Sequence, residues 1–144
     1  MTPLTRRVVQ ALAYEGIALL FVGPAMSLAF GQPLPSTLAL AILMSTIALA
    51  WNFVFNSLFE RWEAQQAVKG RNWRRRLAHG IGFEGGLVLV LVPLMAWWLQ
   101  TSLLYALVAD LGILAFFFVY TLVFTWTFDR LFGLPQSSRP PGEA

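Results

Sequence analysis

Four long apolar segments, separated by short polar stretches, run through the 144-residue chain. They extend from about Val8 to Phe30, Leu38 to Phe59, Leu77 to Leu99 and Leu103 to Phe128. Each has about 20 residues or more, which is the length that an α-helix needs to cross the hydrocarbon core of a bilayer. None shows the strict alternation of polar and apolar residues that is typical of membrane strands. The pattern therefore predicts an all-α membrane protein with four transmembrane helices.

Two short polar connections, residues 31–37 and 100–102, join the first segment to the second and the third to the fourth. Their Gly, Pro, Ser, Thr and Gln residues are typical of turns, so we expect two antiparallel helical hairpins. The four segments use most of the chain, which predicts a single membrane domain over residues 1–132. The Pro- and Ser-containing end, residues 133–144, is predicted to be a disordered cytoplasmic tail.

The basic residues indicate how the bundle is oriented. All ten lie beside the termini or in the central connection, and the two turns contain none. They are Arg6, Arg7, Arg61, Lys69, Arg71, Arg74, Arg75, Arg76, Arg130 and Arg139. Because Lys and Arg are in excess on the cytoplasmic side of membrane proteins, both termini are predicted to be cytoplasmic.

Composition excludes several classes of function. Hydrophobic residues make up 58% of the chain and charged residues 12%, against roughly 25% charged in soluble domains, which excludes a water-soluble monomer. The basic residues flank apolar segments, so they indicate topology rather than nucleic-acid binding. The chain has no cysteine and one histidine. We therefore predict no metal site, no cofactor and no enzymatic activity.

The sequence repeats itself with a shift of 69 residues. Arg6-Arg7 falls on Arg75-Arg76, Tyr14-Glu15-Gly16 on Phe83-Glu84-Gly85, Pro24 on Pro93, and Phe59-Glu60-Arg61 on Phe128-Asp129-Arg130. Independent apolar segments would match Leu to Val but would not align Arg, Glu and Pro. The pattern predicts two tandem copies of a helical hairpin, about residues 5–63 and 74–132. Since each copy has two spans, the copies are parallel, related by an axis near the membrane normal.

Three carboxyl groups lie within the apolar segments: Glu15, Glu84 and Asp110. An acidic residue at the centre of a membrane helix costs roughly 2.5–3.5 kcal/mol on insertion scales. One interpretation is structural, with each carboxyl group protonated or hydrogen-bonded to a neighbouring helix. The other is functional, because a desolvated carboxyl group can bind either a proton or an organic cation. Competition between these ligands is the minimal chemistry of a proton/cation antiporter.

Aromatic and polar residues accompany these carboxyl groups. Tyr14 and Phe83 precede the two glutamates, and Trp51 on the second helix offers a ring face for a cation. Polar residues form one face of helix 2 and of helix 4, and a histidine lies one turn before Glu84. As binding residues we expect Glu15, Glu84, Asp110, Tyr14, Trp51, Asn52 and Phe83, and as supporting or gating residues Asn56, Glu60, His79 and Asp129.

Two motifs resemble a known family. Residues 75–87, RRLAHGIGFEGGL, are similar to the R-x-x-H-x-x-x-F-E-x-x-L signature of the proteobacterial antimicrobial compound efflux family, which is built from tandem bacterial transmembrane pair domains. Residues 51–60, WNFVFNSLFE, resemble its helix 2 motif, W-N-x-x-F-N-x-x-F-[DE], and residues 120–129 resemble the helix 4 counterpart. In the first copy, Gln10 replaces the motif His and Tyr14 the motif Phe.

The resemblance implies an exporter in the bacterial inner membrane that is driven by the proton gradient. Its expected substrates are cationic biocides such as chlorhexidine and acriflavine, short diamines such as cadaverine and putrescine, or both. The resemblance also implies that Glu15 is involved in proton coupling and in substrate binding.

Two questions stay open at this level. The alternative function is a non-transporting membrane assembly or accessory subunit, in which the carboxyl groups only hold helices together. Four helices offer little surface for alternating access, which favours a homodimer without deciding between a homodimer and a monomer.

Overall fold

The computed structural model describes residues 2–67, 70 and 72–133. Its regular structure over these residues consists of four α-helices. They are α1 (Pro3–Phe30), α2 (Leu34–Ala64), α3 (Trp73–Trp98) and α4 (Leu103–Phe132). All four are long and apolar enough to cross a membrane, which confirms the predicted all-α fold with four transmembrane helices. The predicted tail, 133–144, lies outside the described residues apart from its first residue.

The helices extend beyond the apolar segments that predicted them. The side chains of Thr2, Asn72 and Ser102 accept a hydrogen bond from the backbone N–H three residues later, so they cap α1, α3 and α4. At its other end α1 stops at Gly31, whose φ of 63° is left-handed and suits glycine. Hydropathy marks only the part of a helix that lies in the hydrocarbon, whereas capping residues set the helix ends.

Buried side chains concentrate in the half of the bundle that carries the two short turns, which we call the turn end. The other half, with Thr2, the end of α2, the start of α3 and Gly133, is the terminal end. The core of the turn end includes Val22, Met26, Leu40, Met44, Leu91, Met95, Leu99 and Ala106. Thr37, fully buried among them, donates a hydrogen bond of 2.8 Å to the carbonyl of Gly23. The turn end is therefore closed by close packing.

The four helix pairs differ in how closely they approach. α1 packs along α2, α3 along α4 and α2 along α3, whereas α1 and α4 make the sparsest backbone contact of these four neighbouring pairs. Gly82 and Gly86 explain the close α2–α3 contact, because a Cβ at either position would overlap the ring of Phe55 or Trp51. At the positions 69 residues earlier, α1 carries alanine and isoleucine, at 13 and 17. The glycines that allow the close α2–α3 contact therefore have no counterpart on α1.

A salt bridge joins α1 to α4 at the terminal end. Arg6 donates to the carboxylate of Asp129 at 2.6 Å and to the carbonyl of Gly133 at 2.9 Å. Its guanidinium also lies 5.0 Å from the centre of the Phe128 ring, which is buried. Both partners of the ion pair are mostly shielded, with 14% and 23% of their side-chain surface exposed. The salt bridge therefore holds α1 and α4 together where few backbone contacts do.

Removing either partner of this ion pair is expected to destabilise the protein. We expect Arg6→Gln or Asp129→Asn to lower the free energy of unfolding by about 1–2 kcal/mol, because each leaves the other charge partly buried. Unfolding in detergent of both single variants and the double variant gives the coupling energy, expected near 1 kcal/mol. Arg7→Gln, at an exposed neighbouring position, is the control. An equal loss in the control, or no coupling, would contradict the role of the salt bridge.

Candidate functional site

A cavity of about 450 Å³ lies between all four helices, next to the packed core of the turn end. Glu15 from α1, Glu84 from α3 and Asp110 from α4 all line it. The rest of the wall is mainly apolar, with alanine, leucine, methionine and phenylalanine side chains. The volume and the few polar groups in an apolar wall are typical of sites for small organic molecules.

The structure brings most of the predicted binding residues to this cavity. Tyr14, Asn52 and Phe83 line it together with the three carboxyl residues. Trp51 does not line it: its ring packs against Gly86 between α2 and α3. The indole therefore supports the wall of the cavity rather than offering a face to its contents.

The Glu15 carboxylate accepts a hydrogen bond of 3.0 Å from the hydroxyl of Ser45 on α2. Ser45 is not among the site residues that the sequence predicts. A signal was present, because Ser45 precedes Asn52 by two helical turns and so continues the polar face of helix 2. A single hydroxyl leaves carboxylate lone pairs of Glu15 available to a proton or a cation.

Glu84 and Asp110 line the cavity from two neighbouring helices, α3 and α4. Within the part of the chain that the structure describes, neither carboxylate accepts a side-chain hydrogen bond, and no three acidic or histidine side chains lie close enough together to hold a metal ion. The three carboxyl groups are therefore spread around the cavity wall. Such an arrangement suits an extended cation with separated charges better than a compact metal ion.

Aromatic rings enclose the Glu15 side of the cavity. The Tyr14 ring lies 6.0 Å from that of Phe117, 4.8 Å from that of Tyr120 and 5.3 Å from that of Phe124. The Tyr14 hydroxyl is 2.8 Å from the hydroxyl of Thr121. Ring faces beside a carboxylate attract organic cations, because the ring quadrupole and the negative charge act together.

Two hydrogen bonds next to the glutamates occupy equivalent positions in the two copies. The Trp51 indole donates to the carbonyl of Phe83 at 2.9 Å, and the Tyr120 hydroxyl donates to the carbonyl of Tyr14 at 2.6 Å. Donors and acceptors are each related by the 69-residue offset. Each bond joins the second helix of one copy to the first helix of the other, beside the glutamate. They therefore fix the backbone that carries Glu15 and Glu84.

A chain of polar side chains leads from the cavity toward the terminal end. Asn56 donates to the side-chain oxygen of Asn52 at 2.6 Å, and its own side-chain oxygen lies 2.6 Å from Nε2 of His79. The rings of Phe55 and Phe59 enclose the imidazole edge-on. We call Asn52, Asn56 and His79 the polar file. The remaining predicted residues, Glu60 and Asp129, lie nearer the terminal end and do not line the cavity.

Known proteins with similar sequences share a transport function. The sequence model of the chlorhexidine efflux transporter family matches this chain twice, over residues 2–65 and 71–134, with the same 69-residue offset as the internal repeat. Short-chain diamines transporters are similar over nearly their whole length. That of Acinetobacter baumannii is 36% identical, covering 88% of this chain and 87% of that protein, and that of Acinetobacter baylyi is 40% identical, covering 88% and 89%.

The similarity extends to a third genus but not to solved structures. The short-chain diamines transporter of Vibrio parahaemolyticus is 33% identical, covering 87% of this chain and 89% of that protein. No solved structure matches the chain. Two tandem family matches and three relatives of similar length agree with the motifs around Glu15 and Glu84. The chain belongs to the chlorhexidine efflux transporter family, and it is a multi-pass membrane transporter rather than an enzyme.

Proposed function

We propose that this protein exports organic cations across the bacterial inner membrane in exchange for protons, with both termini in the cytoplasm. The observation that carries the proposal is the shared cavity of Glu15, Glu84 and Asp110. Among the described residues that line it, none is a lysine, arginine or histidine. Negative charge in the cavity is thus balanced by what the cavity binds rather than by the protein.

Exchange follows from the electrostatics of such a cavity. An ionised carboxylate in an apolar wall is unfavourable unless a counter-charge accompanies it, so a proton and an organic cation compete for the same carboxylate oxygens. An organic cation supplies the counter-charge and displaces the proton. A proton that binds from the outer side displaces the cation in turn. Protons and a cationic small molecule are therefore the partners in this proposal, and the proton gradient takes the place of a cofactor.

The substrates that fit best are divalent cations with an apolar middle. The relatives are named for short-chain diamines and the family for chlorhexidine, and both ligands carry two basic ends joined by a hydrocarbon chain. Glu15 lines the cavity from α1, whereas Glu84 and Asp110 line it from α3 and α4. We propose that these two groups of carboxylates bind the two charged ends. The apolar wall between them accommodates the hydrocarbon, and acriflavine-like monocations use the Glu15 side.

The proposed topology rests on charge. The described basic residues all lie at the terminal end of the helices, including Arg61 late in α2 and Arg74 early in α3. An excess of this kind favours retention of the terminal end in the cytoplasm. We propose one membrane domain over residues 1–132 made of two parallel hairpin copies, with a monomer or a homodimer as the functional unit.

Ligand-induced proton release tests the proposal. Adding cadaverine or, separately, chlorhexidine to purified protein in weakly buffered detergent is expected to release protons in proportion to the cation bound, because the two compete for the same carboxylates. The readout is the dye-reported pH change together with calorimetric binding. A neutral diol of similar length to cadaverine is the control ligand. Binding of either cation without proton release would contradict exchange. Light scattering of the same sample distinguishes a monomer from a homodimer.

A further inference from the structure

The two sides of the bundle are not equivalent, although the sequence repeats. We propose that the α1–α4 interface is a lateral entrance through which lipophilic aromatic cations pass from the bilayer into the cavity, while hydrophilic diamines reach the same cavity from the terminal end along the polar file. The inference rests on the proposed function and adds two separate routes for two chemical classes of substrate.

Aromatic side chains, rather than backbone contacts, fill the α1–α4 interface. Phe21 lies 5.8 Å from Phe116, measured between ring centres, and Tyr14 contacts the rings of Phe117 and Phe124. We call these residues, with Tyr120, the aromatic seam. Contacts between ring side chains can open by rotamer changes, because the backbones behind them are already well separated. The seam is therefore the most easily opened of the four interfaces.

The equivalent α2–α3 interface cannot open in the same way. There the Trp51 ring lies directly on Gly86 and the Phe55 ring on Gly82, so rings pack against backbone. Each interface has one equivalent hydrogen bond beside its glutamate, from Trp51 to the Phe83 carbonyl and from Tyr120 to the Tyr14 carbonyl, so the packing of rings on backbone makes the difference. Separating α2 from α3 would expose two glycine backbone surfaces in addition to breaking the hydrogen bond. The two copies differ in sequence at these positions, with glycine at 82 and 86 against alanine and isoleucine at 13 and 17.

Access from the turn end is blocked by the packed core. Leu40, Met95 and Leu99 are at most 2% exposed there, and Met26 is 3% exposed. A substrate must therefore enter between helices or from the terminal end. At the terminal end, the Arg6–Asp129 salt bridge joins α1 to α4. The middle of the aromatic seam, at the level of Tyr14, is what remains for lateral entry between these two helices.

The seam leads directly to the charged part of the cavity. Tyr14 and Phe117 belong both to the seam and to the cavity wall, and Glu15 follows Tyr14 in sequence. A planar aromatic cation that partitions into the bilayer would exchange ring contacts with lipid for ring contacts within the seam, and would then meet the Glu15 carboxylate. Ring stacking and cation–π attraction both favour this class of ligand.

A doubly charged diamine needs a different route. Its desolvation in hydrocarbon is too unfavourable for entry from lipid, because each ammonium group would lose its hydration. The polar file offers hydrogen-bonding partners from the terminal end to the cavity, since Asn52 lines the cavity and connects through Asn56 to His79. The positions equivalent to His79, Asn56 and Asn52 are Gln10, Thr125 and Thr121. The asparagine–histidine chain is therefore specific to the α2–α3 side.

Crosslinking across the seam tests the inference, and the chain contains no native cysteine to interfere. Phe21→Cys/Phe116→Cys places thiols on both sides of the seam, outside the cavity lining. A short, reducible bifunctional thiol reagent would then join the two cysteines and close the seam on the side of the turn end. The Arg6–Asp129 salt bridge already joins α1 to α4 at the terminal end. We expect proton-driven proflavine transport in proteoliposomes to fall by an order of magnitude or more, and cadaverine transport to persist. Reduction should restore proflavine transport.

The matched control is Ile47→Cys/Val90→Cys, at the equivalent positions of the α2–α3 interface. Crosslinking there is expected to leave proflavine transport unchanged. Loss of both substrates on crosslinking the seam, or loss of neither, would overturn the inference, as would equal loss of proflavine transport in the control. If the uncrosslinked protein transported neither cation, the proposed function itself would fail, which separates the two conclusions.

Discussion

Glu15→Gln is expected to remove most of the proton release that cadaverine and chlorhexidine cause, while the protein remains folded and Glu84 and Asp110 are unchanged. Glutamine keeps the length of the side chain and an oxygen that can accept the hydrogen bond from Ser45, so the α1–α2 contact is preserved. It cannot exchange a proton, and it offers no charge to a cation. Loss of a carboxylate at a poorly hydrated ion pair costs about 3 kcal/mol, so cation affinity is expected to fall by about 100-fold.

The control for this variant is Glu60→Gln, the same substitution at an exposed glutamate that does not line the cavity. It is expected to leave cation affinity and proton release unchanged. Wild-type transport by Glu15→Gln would contradict the role of Glu15. Unfolding of Glu15→Gln in detergent would instead indicate a structural carboxyl group, as the accessory-subunit alternative requires. Binding, proton release and unfolding temperature therefore distinguish the two interpretations in one preparation.

The sequence was sufficient to predict that the three carboxyl groups face the interior of the bundle. Glu15 and Glu84 hold equivalent positions in two copies of one motif, which predicts that they lie at equal depth. An acidic residue in an apolar helix also favours the interior of a bundle over lipid. Asp110, although it breaks the repeat, follows the same rule. The cavity that the three residues share is thus a consequence of helix periodicity and of the energetics of burial.

The position of the Trp51 ring could not be predicted from the sequence in the same way. The motif and the aromatic side chain suggested a ring face for a cation, yet the ring lies on Gly86 and its indole bonds to the Phe83 carbonyl. Which face of α2 meets α3 depends on the rotation of both helices. That rotation depends on the sum of many small packing contacts rather than on any one motif. The same reason explains why Ser45 was missed as the partner of Glu15.

The asymmetry of the bundle is a further property that the repeat conceals. A 69-residue offset predicts two equivalent interfaces between the copies, and the paired hydrogen bonds from Trp51 and Tyr120 agree with it. Yet α2 and α3 approach closely, whereas α1 and α4 do not. Gly82 and Gly86 allow the rings of Phe55 and Trp51 to lie on the α3 backbone, and α1 has no glycine at the two equivalent positions. A duplicated scaffold can therefore become a transporter with one rigid and one adaptable interface through a few substitutions.

Gly86→Ile is expected to destabilise the protein by about 3 kcal/mol. Isoleucine is chosen because α1 carries it at the equivalent position, 17. A Cβ at this position overlaps the Trp51 ring, so the ring must move away and release its hydrogen bond to Phe83. Overpacking costs about 1–3 kcal/mol, and the lost hydrogen bond about 1 kcal/mol. Unfolding in detergent measures the sum.

Gly85→Ile is the matched control for Gly86→Ile, since a Cβ at Gly85 has no neighbouring atom within 4 Å. The control makes the same change in helix propensity and in surface hydrophobicity on the same turn of α3, so it is expected to be as stable as the wild type or slightly more so. Equal stability of the two variants would contradict the view that the Trp51–Gly86 contact holds α2 against α3. A loss confined to Gly86→Ile would show that the rigid interface depends on the absence of one side chain.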